Sequence, residues 1–278
     1  MEKILCLTDF TPISKVAMDF AQQLAGSLKA QLVLFHSVPQ EEPVRHMPVG
    51  GVPFMEPIPD VEEQKNRETQ VRLAKEKLFS FSQNVPGVQS ELRVGPITTT
   101  LPQAAAETEA DFIVLAHEGL EISFPGSVTS KIIGTVPCPV FVLPPQATFQ
   151  PLRKIVYATD LKADSFTDVS FVTQLAAAFN AEIQFLHILM DDALDTRAQA
   201  EAELRLICRR SMYPHMSYFL ETAKKVELGI QHFCTAQHAD LLVMGSRNNN
   251  FWQLFFQSKT QTISSHPLLP LLVLPYKK

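Results

Sequence analysis

The stretch Lys3-Ile-Leu-Cys-Leu-Thr-Asp9 returns 151 residues later as Lys154-Ile-Val-Tyr-Ala-Thr-Asp160, and Ser14 returns as Ser165 at the same offset. Gln31-Leu-Val-Leu-Phe-His36 likewise returns as Glu182-Ile-Gln-Phe-Leu-His187. Further on the offset shrinks. Ala110-Asp-Phe-Ile-Val-Leu115 meets Ala239-Asp-Leu-Leu-Val-Met244 at 129, and Pro139-Val-Phe-Val-Leu-Pro144 meets Pro270-Leu-Leu-Val-Leu-Pro275 at 131. Segments that recur in the same order mark a duplicated folding unit. The copies are expected over residues 1–145 and 152–278, with Pro144–Leu152 as the linker. The extra residues of the first copy sit in 39–60, where prolines and Gly50-Gly51 predict a loop or lid.

Each copy reads as alternating strand and helix. Lys3–Thr8 is a short apolar run, and Thr11-Pro12 supplies a cap followed by proline at the first helical position. Ile13, Val16, Ala17, Phe20, Ala21, Leu24, Ala25 and Leu28 then form the stripe of an amphipathic helix. Further strands are expected at 31–37, 88–94, 111–116 and 139–143, with helices near 61–84, 98–109 and 126–134. The second copy repeats the order, its strands near 153–158, 182–188, 216–221, 240–245 and 270–274, its first helix marked by Phe171, Val172, Leu175, Ala176 and Phe179. The fold class is therefore α/β: two tandem open parallel five-stranded sheets, Rossmann-like, with helices on both faces.

Composition narrows the partners. Against 29 acidic residues stand 24 basic ones, a net charge of −5, whereas a nucleic-acid surface normally shows as a basic excess. No apolar run reaches the length of a membrane span, and Met1-Glu2-Lys3 enters a strand without a basic leader. Neither nucleic acid nor membrane is expected as a partner. The four cysteines form no CxxC pair, which fits reduced core thiols and a cytoplasmic location rather than disulfides or zinc.

In an open parallel sheet ligands bind beyond the carboxyl ends of the strands. Asp9 and Asp160 follow the first strand of each copy, and either could bond a ribose or close an Asx-turn. His36 and His187 end the second strands; without a partner at metal-ligand spacing, a packed, hydrogen-bonded histidine is the expectation for both. His46, His117, His232 and His238 are scattered singly, and no nucleophile, base and orienting acid can be assembled. After the fourth strand, a loop ends in Gly126-Ser127 at a helix start, where backbone amides and a hydroxyl can hold a phosphate or simply cap the helix. The corresponding region of the second copy carries Phe251, Trp252, Phe255 and Phe256, either a partner-binding or membrane-surface patch or a loop packed on the other repeat.

Leu7-Thr-Asp9 with Ser14, the strand ending Leu34-Phe-His36, the strand Asp111–Leu115 with its loop to Gly126-Ser127, and the closing Pro137-Cys-Pro-Val-Phe-Val-Leu143 together resemble the universal stress protein family, here in tandem. The second copy carries the resemblance in Ala158-Thr-Asp160 with Ser165, Phe185-Leu-His187, Asp240–Gly245 and His266–Leu274. The resemblance implies an adenine nucleotide, ATP or AMP, as ligand. It would be lined by Asp9, Ser37, Gly119, Gly126, Ser127 and Val128 in the first copy, and by Asp160, Ile188, Gly245 and Ser258 in the second. It also implies that Val140–Leu143 and Leu271–Leu274 pair edge to edge as an intramolecular pseudo-dimer, with a homodimer beyond that open.

Nucleotide-binding members of that family carry Gly, two residues, Gly, nine residues, then Gly followed by Ser or Thr. The first copy has Ala116 at the first glycine and a shortened interval between Gly119 and Gly126; the second keeps Gly245 but has Asn248 and Gln257 at the others. The first copy is thus the better candidate for an anion site, the second a structural half. The expected function is a non-catalytic cytoplasmic stress-response protein that binds an adenine nucleotide in the first copy. The alternative is an interaction or scaffold protein in which both loops have degenerated and residues 39–60 dock a protein partner. An ATP-hydrolysing enzyme of the related α/β type would need a serine-glycine-rich loop or a His-x-Gly-His signature after the first strand, and 8–14 and 159–165 contain neither.

Overall fold

A computed structural model describes residues 1–39, 61–83, 85, 87–117, 128–161, 169–190, 194–245 and 269–275. Among the expected features, residues 40–60, Gly119, Gly126, Ser127, Ser165, Ser258 and the aromatic run 251–256 lie outside them.

The first strand, β1 (Lys3–Leu7), has Ile4, Leu5 and Cys6 fully buried, as a central parallel strand covered on both faces requires. Helix α1 (Pro12–Leu28) begins after Thr11, whose backbone is still extended and whose Oγ1 accepts the Ser14 amide at 3.2 Å. It ends at Lys29, whose φ of 55° turns the chain so that Ala30 N–H reaches the Ala25 carbonyl at 2.9 Å. The alternation continues through β2 (Gln31–Val38), α2 (Val61–Gln83), β3 (Gln89–Val94), α3 (Ile97–Glu107), β4 (Phe112–Ala116), α4 (Val128–Thr135) and β5 (Val140–Leu143). The second half repeats it as β6 (Lys154–Ala158), α5 (Val169–Phe179), β7 (Glu182–Leu189), α6 (Leu194–Ser211), β8 (Met216–Thr222), α7 (Val226–Gln237), β9 (Leu241–Gly245) and β10 (Leu271–Leu274).

The two five-stranded sheets are continuous. All ten strands form one sheet in the order β3-β2-β1-β4-β5-β10-β9-β6-β7-β8. Every neighbouring pair is parallel except at the joint, where β5 and β10 run antiparallel with Leu272 opposite Phe141. The last strands therefore pair within the chain, as the resemblance implies, and neither is left as an open edge.

One face of the sheet is covered by α1, α2, α5 and α6, the other by α3, α4 and α7. On the first face an aromatic chain crosses the joint: Phe112 meets Phe171 at 5.8 Å, and Phe149 stands between Phe20 at 5.3 Å and Phe179 at 6.2 Å. Phe149 belongs to the segment between the halves, and Leu152 of the same segment is buried. The linker thus packs as part of the core.

Each half also uses one carboxylate to start its first strand. Asp111 accepts from the Lys3 amide at 3.0 Å, and Asp240 accepts from the Arg153 and Lys154 amides at 2.7 and 2.9 Å. All four cysteines are free. Burial pushes the thiols of Cys6, Cys138 and Cys234 up to about 12, which makes them inert core groups.

Candidate functional site

The helix after β1 lies on one face of the sheet and the helix after β4 on the other, although the two strands are neighbours. Connections diverge there, so the carboxyl ends of β1 and β4 frame a crevice, and β6 and β9 are the corresponding neighbours in the second half.

The turn leaving β1 is built by its own side chains. Phe10 takes a φ of 67°, and its amide donates to Thr8 Oγ1 at 3.1 Å. Asp9 Oδ1 accepts from the Thr11 amide at 2.9 Å and the Thr11 hydroxyl at 2.6 Å, closing an Asx-turn at the head of α1. Partial burial works to raise the Asp9 carboxyl. Hydrogen bonds from Thr11 and Ser14 outweigh it and hold the group below its ordinary value. Asp9 remains exposed and anionic at the rim. In the second half Leu161 repeats the left-handed turn with a φ of 59°, its amide donating to Thr159 Oγ1 at 3.0 Å, and Asp160 holds the matching exposed position.

His36 and His187 are the hydrogen-bonded histidines expected. Each donates from Nδ1 to the carbonyl of the threonine ending the neighbouring strand, Thr8 at 2.7 Å and Thr159 at 2.8 Å. The His36 ring also packs on Phe10 at 4.3 Å.

Ser37 turns away from solvent. Its hydroxyl donates to the Gly95 carbonyl at 2.7 Å and shares a hydrogen bond with Thr100 Oγ1 at 2.9 Å. The same place in the second half is filled differently. Ile188 replaces the serine, and Gly229 on α7 replaces the threonine. A Cβ at Gly229 would lie 2.9 Å from the Ala223 Cβ and 3.0 Å from Ile188 Cδ1. The wall beside the crevice is therefore polar in one half and apolar in the other.

At the far side of the first crevice, β4 ends at Ala116 and α4 opens with Val128, which is 57% exposed. His117 follows the strand directly. Its amide donates to the Leu143 carbonyl at 3.0 Å and its Nδ1 lies 3.3 Å from Thr129 Oγ1 in the first turn of α4. Burial pushes the imidazole down to about 4, so the ring is neutral near neutral pH. As a single scattered histidine it gave no sequence signal; only its place immediately after the fourth strand could have marked it. Gly245 ends β9 with open space where a side chain would stand.

Of the residues expected to line a site, Asp9 and Val128 stand at the first crevice, while Ser37 lies in its wall with its hydroxyl engaged internally. Asp160 and Gly245 stand at the second, and Ile188 is buried beside it. Among the described residues no three histidine, cysteine, aspartate or glutamate side chains could jointly hold a metal ion. No described helix is long and apolar enough to cross a membrane.

Comparison with known proteins agrees with this architecture. The universal stress protein family model matches residues 1–144, more than half of the chain. Universal stress protein Sll1654 of Synechocystis sp. is 29% identical over 137 residues, covering 47% of this chain and 80% of that protein. The solved structure of a universal stress protein from Archaeoglobus fulgidus DSM 4304 superposes with a TM-score of 0.71 at 13% identity, covering 99% of this chain and 98% of that one. A functionally unknown protein from Pseudomonas aeruginosa PAO1 superposes with a TM-score of 0.59 at 16% identity, covering 99% and 93%.

Proposed function

Because the chain belongs to the universal stress protein family, we propose that it binds an adenine nucleotide, ATP or AMP, in the crevice of its first half and acts as a non-catalytic cytoplasmic stress-response protein. The observation that carries this reading is the meeting of the Asp9 turn, His117 and the start of α4 at the divergence of β1 and β4. Asp9 offers an exposed carboxylate to a ribose hydroxyl. The amides at the head of α4, with Gly126-Ser127 preceding it in sequence, offer donors to a phosphate. A neutral His117 adds no positive charge, so the backbone dipoles at the helix start would carry the hold on the phosphate.

In this proposal Asp9, Ser37, Gly119, Gly126, Ser127 and Val128 form the site, with Ser37 shaping its wall. Asp160, Ile188, Gly245 and Ser258 form the degenerate counterpart. Calorimetric titration of ATP, ADP and AMP into the whole chain tests it. Binding lost in Gly126→Asp, which adds a side chain and a negative charge where phosphate would sit, supports the reading. No heat with any of the three overturns it.

A second reading, an interaction protein with no nucleotide, draws on the internal use of polar groups. The Ser37 hydroxyl and one Asp9 oxygen are already hydrogen-bonded within the fold. Capture of a defined protein partner that is lost on deletion of residues 39–60, with the melting transition retained, would favour it.

A further inference from the structure

Between α5 and α6 lies a cavity of about 690 Å³, within the range of roughly 300–1,000 Å³ usual for small-molecule pockets. In the first half the seam between the corresponding helices is closed by rings: Phe10 packs edge-on against Phe81 at 5.5 Å, and Lys77 Nζ sits 5.9 Å above the Phe10 ring. Ala74, Leu78 and Phe81 on α2 recur with the same spacing as Ala200, Leu204 and Ile207 on α6, and Phe10 recurs as Leu161. Two aromatic rings have thus become shorter aliphatic chains. Leu161 and Ile207 both stand on the wall of the cavity, and Val169 and Leu206 extend it.

The polar groups around this wall are unequal. Thr173 Oγ1 donates to the Ser170 carbonyl at 2.9 Å, and Ser211 Oγ to the Cys208 carbonyl at 3.1 Å. Glu203 accepts from Gln199 at 3.2 Å. Arg210 makes no hydrogen bond or ion pair with any other described residue. Among the described residues that line the cavity it is the one cation, at the edge of an apolar surface, and a guanidinium in that setting suits a carboxylate. Glu203 stands seven residues earlier on α6, roughly 10 Å along the helix axis, where it repels a second negative charge.

We infer that this cavity is a binding site for a small amphiphilic monoanion, its carboxylate on Arg210 and its unbranched apolar body along Leu161, Val169 and Ile207. The site lies between helices on one face of the sheet, and its existence does not depend on the nucleotide reading.

Calorimetric titration of decanoate into the whole chain, with decanol as the uncharged counterpart, tests the assignment. The expected result is saturable binding that Arg210→Gln weakens about tenfold, the loss of one charge-assisted hydrogen-bonded pair. Decanol should be weaker by a similar factor. Leu161→Phe with Ile207→Phe, which restores the aromatic pair of the first half, should abolish binding. Arg210 is exposed, so Arg210→Gln retains the native melting transition and remains informative if the filled variant does not fold. Absence of saturable binding, equal affinity of Arg210→Gln, or equal affinity for decanol each overturns the proposal. Displacement of decanoate by ATP would put the acid in the strand-end crevice and overturn it as well.

Discussion

The imidazole Nδ1 of His36 donates across 2.7 Å to the carbonyl of Thr8, and in the second half His187 does the same to Thr159 across 2.8 Å. The carbonyl at the end of a central strand has no continuing strand neighbour, so a side chain must satisfy it. In both halves the histidine of the adjacent strand supplies the donor, and the strand-end turn carrying Asp9 or Asp160 is fixed as a consequence.

Replacing His36 with leucine should therefore destabilise the fold by about 1–3 kcal/mol, the usual cost of leaving a buried partner unsatisfied. Urea denaturation followed by circular dichroism reads this directly. An unchanged midpoint would show that solvent satisfies the Thr8 carbonyl and that the histidine is not needed.

The exchange of Ser37 and Thr100 for Ile188 and Gly229 makes a second expectation specific. Gly229→Ala places a methyl group 2.9 Å from the Ala223 Cβ and 3.0 Å from Ile188 Cδ1, an overpacking that should cost about 1–3 kcal/mol. Ile188→Val removes one of the clashing atoms. Gly229→Ala should accordingly cost less in the Ile188→Val background than alone, and additivity in a double-mutant cycle would show the contacts to be independent.

Acid should weaken the molecule partly through His117. Its folded value of about 4 lies below the ordinary 6.5, so the unfolded chain binds the proton more readily. The contribution to stability is complete above 6.5, is lost as pH falls from 6.5 towards about 4, and does not change further below that. Denaturation midpoints measured across this window should fall less in His117→Gln than in the parent chain. An identical fall in both would assign the acid sensitivity to other groups.

Phe149 ties the linker to α1 and α5 through Phe20 and Phe179. Calorimetry should show the chain melting in one transition, and Phe149→Ala should lower its midpoint by the loss of about 1–3 kcal/mol, less than a fully buried ring because Phe149 is half-buried. Two separate transitions in the parent chain would mean that the halves do not stabilise each other.

The strands were legible because parallel strands buried on both faces are continuous apolar runs, and Lys3–Leu7 and Lys154–Ala158 announce each other as repeats. The continuity of the sheet needed the family resemblance, since a short run such as Val140–Leu143 does not name its partner. The site was less legible for geometric reasons. Asp9 spends one oxygen on Thr11 only because Phe10 adopts a left-handed conformation, and Ser37 meets Thr100 across 63 residues. His117 looked isolated because Thr129 lies twelve residues on in the sequence.

The antiparallel joint of β5 with β10 reverses the direction of every strand in the second half relative to the first. The mouths of the two crevices consequently face opposite ends of the molecule, and a macromolecule seated on one cannot reach the other without wrapping around the sheet. Each copy is thereby released to change on its own: substitutions that erase one crevice leave the other untouched, and a gene duplication of this geometry can keep one ancestral site while the second becomes raw material for a new one.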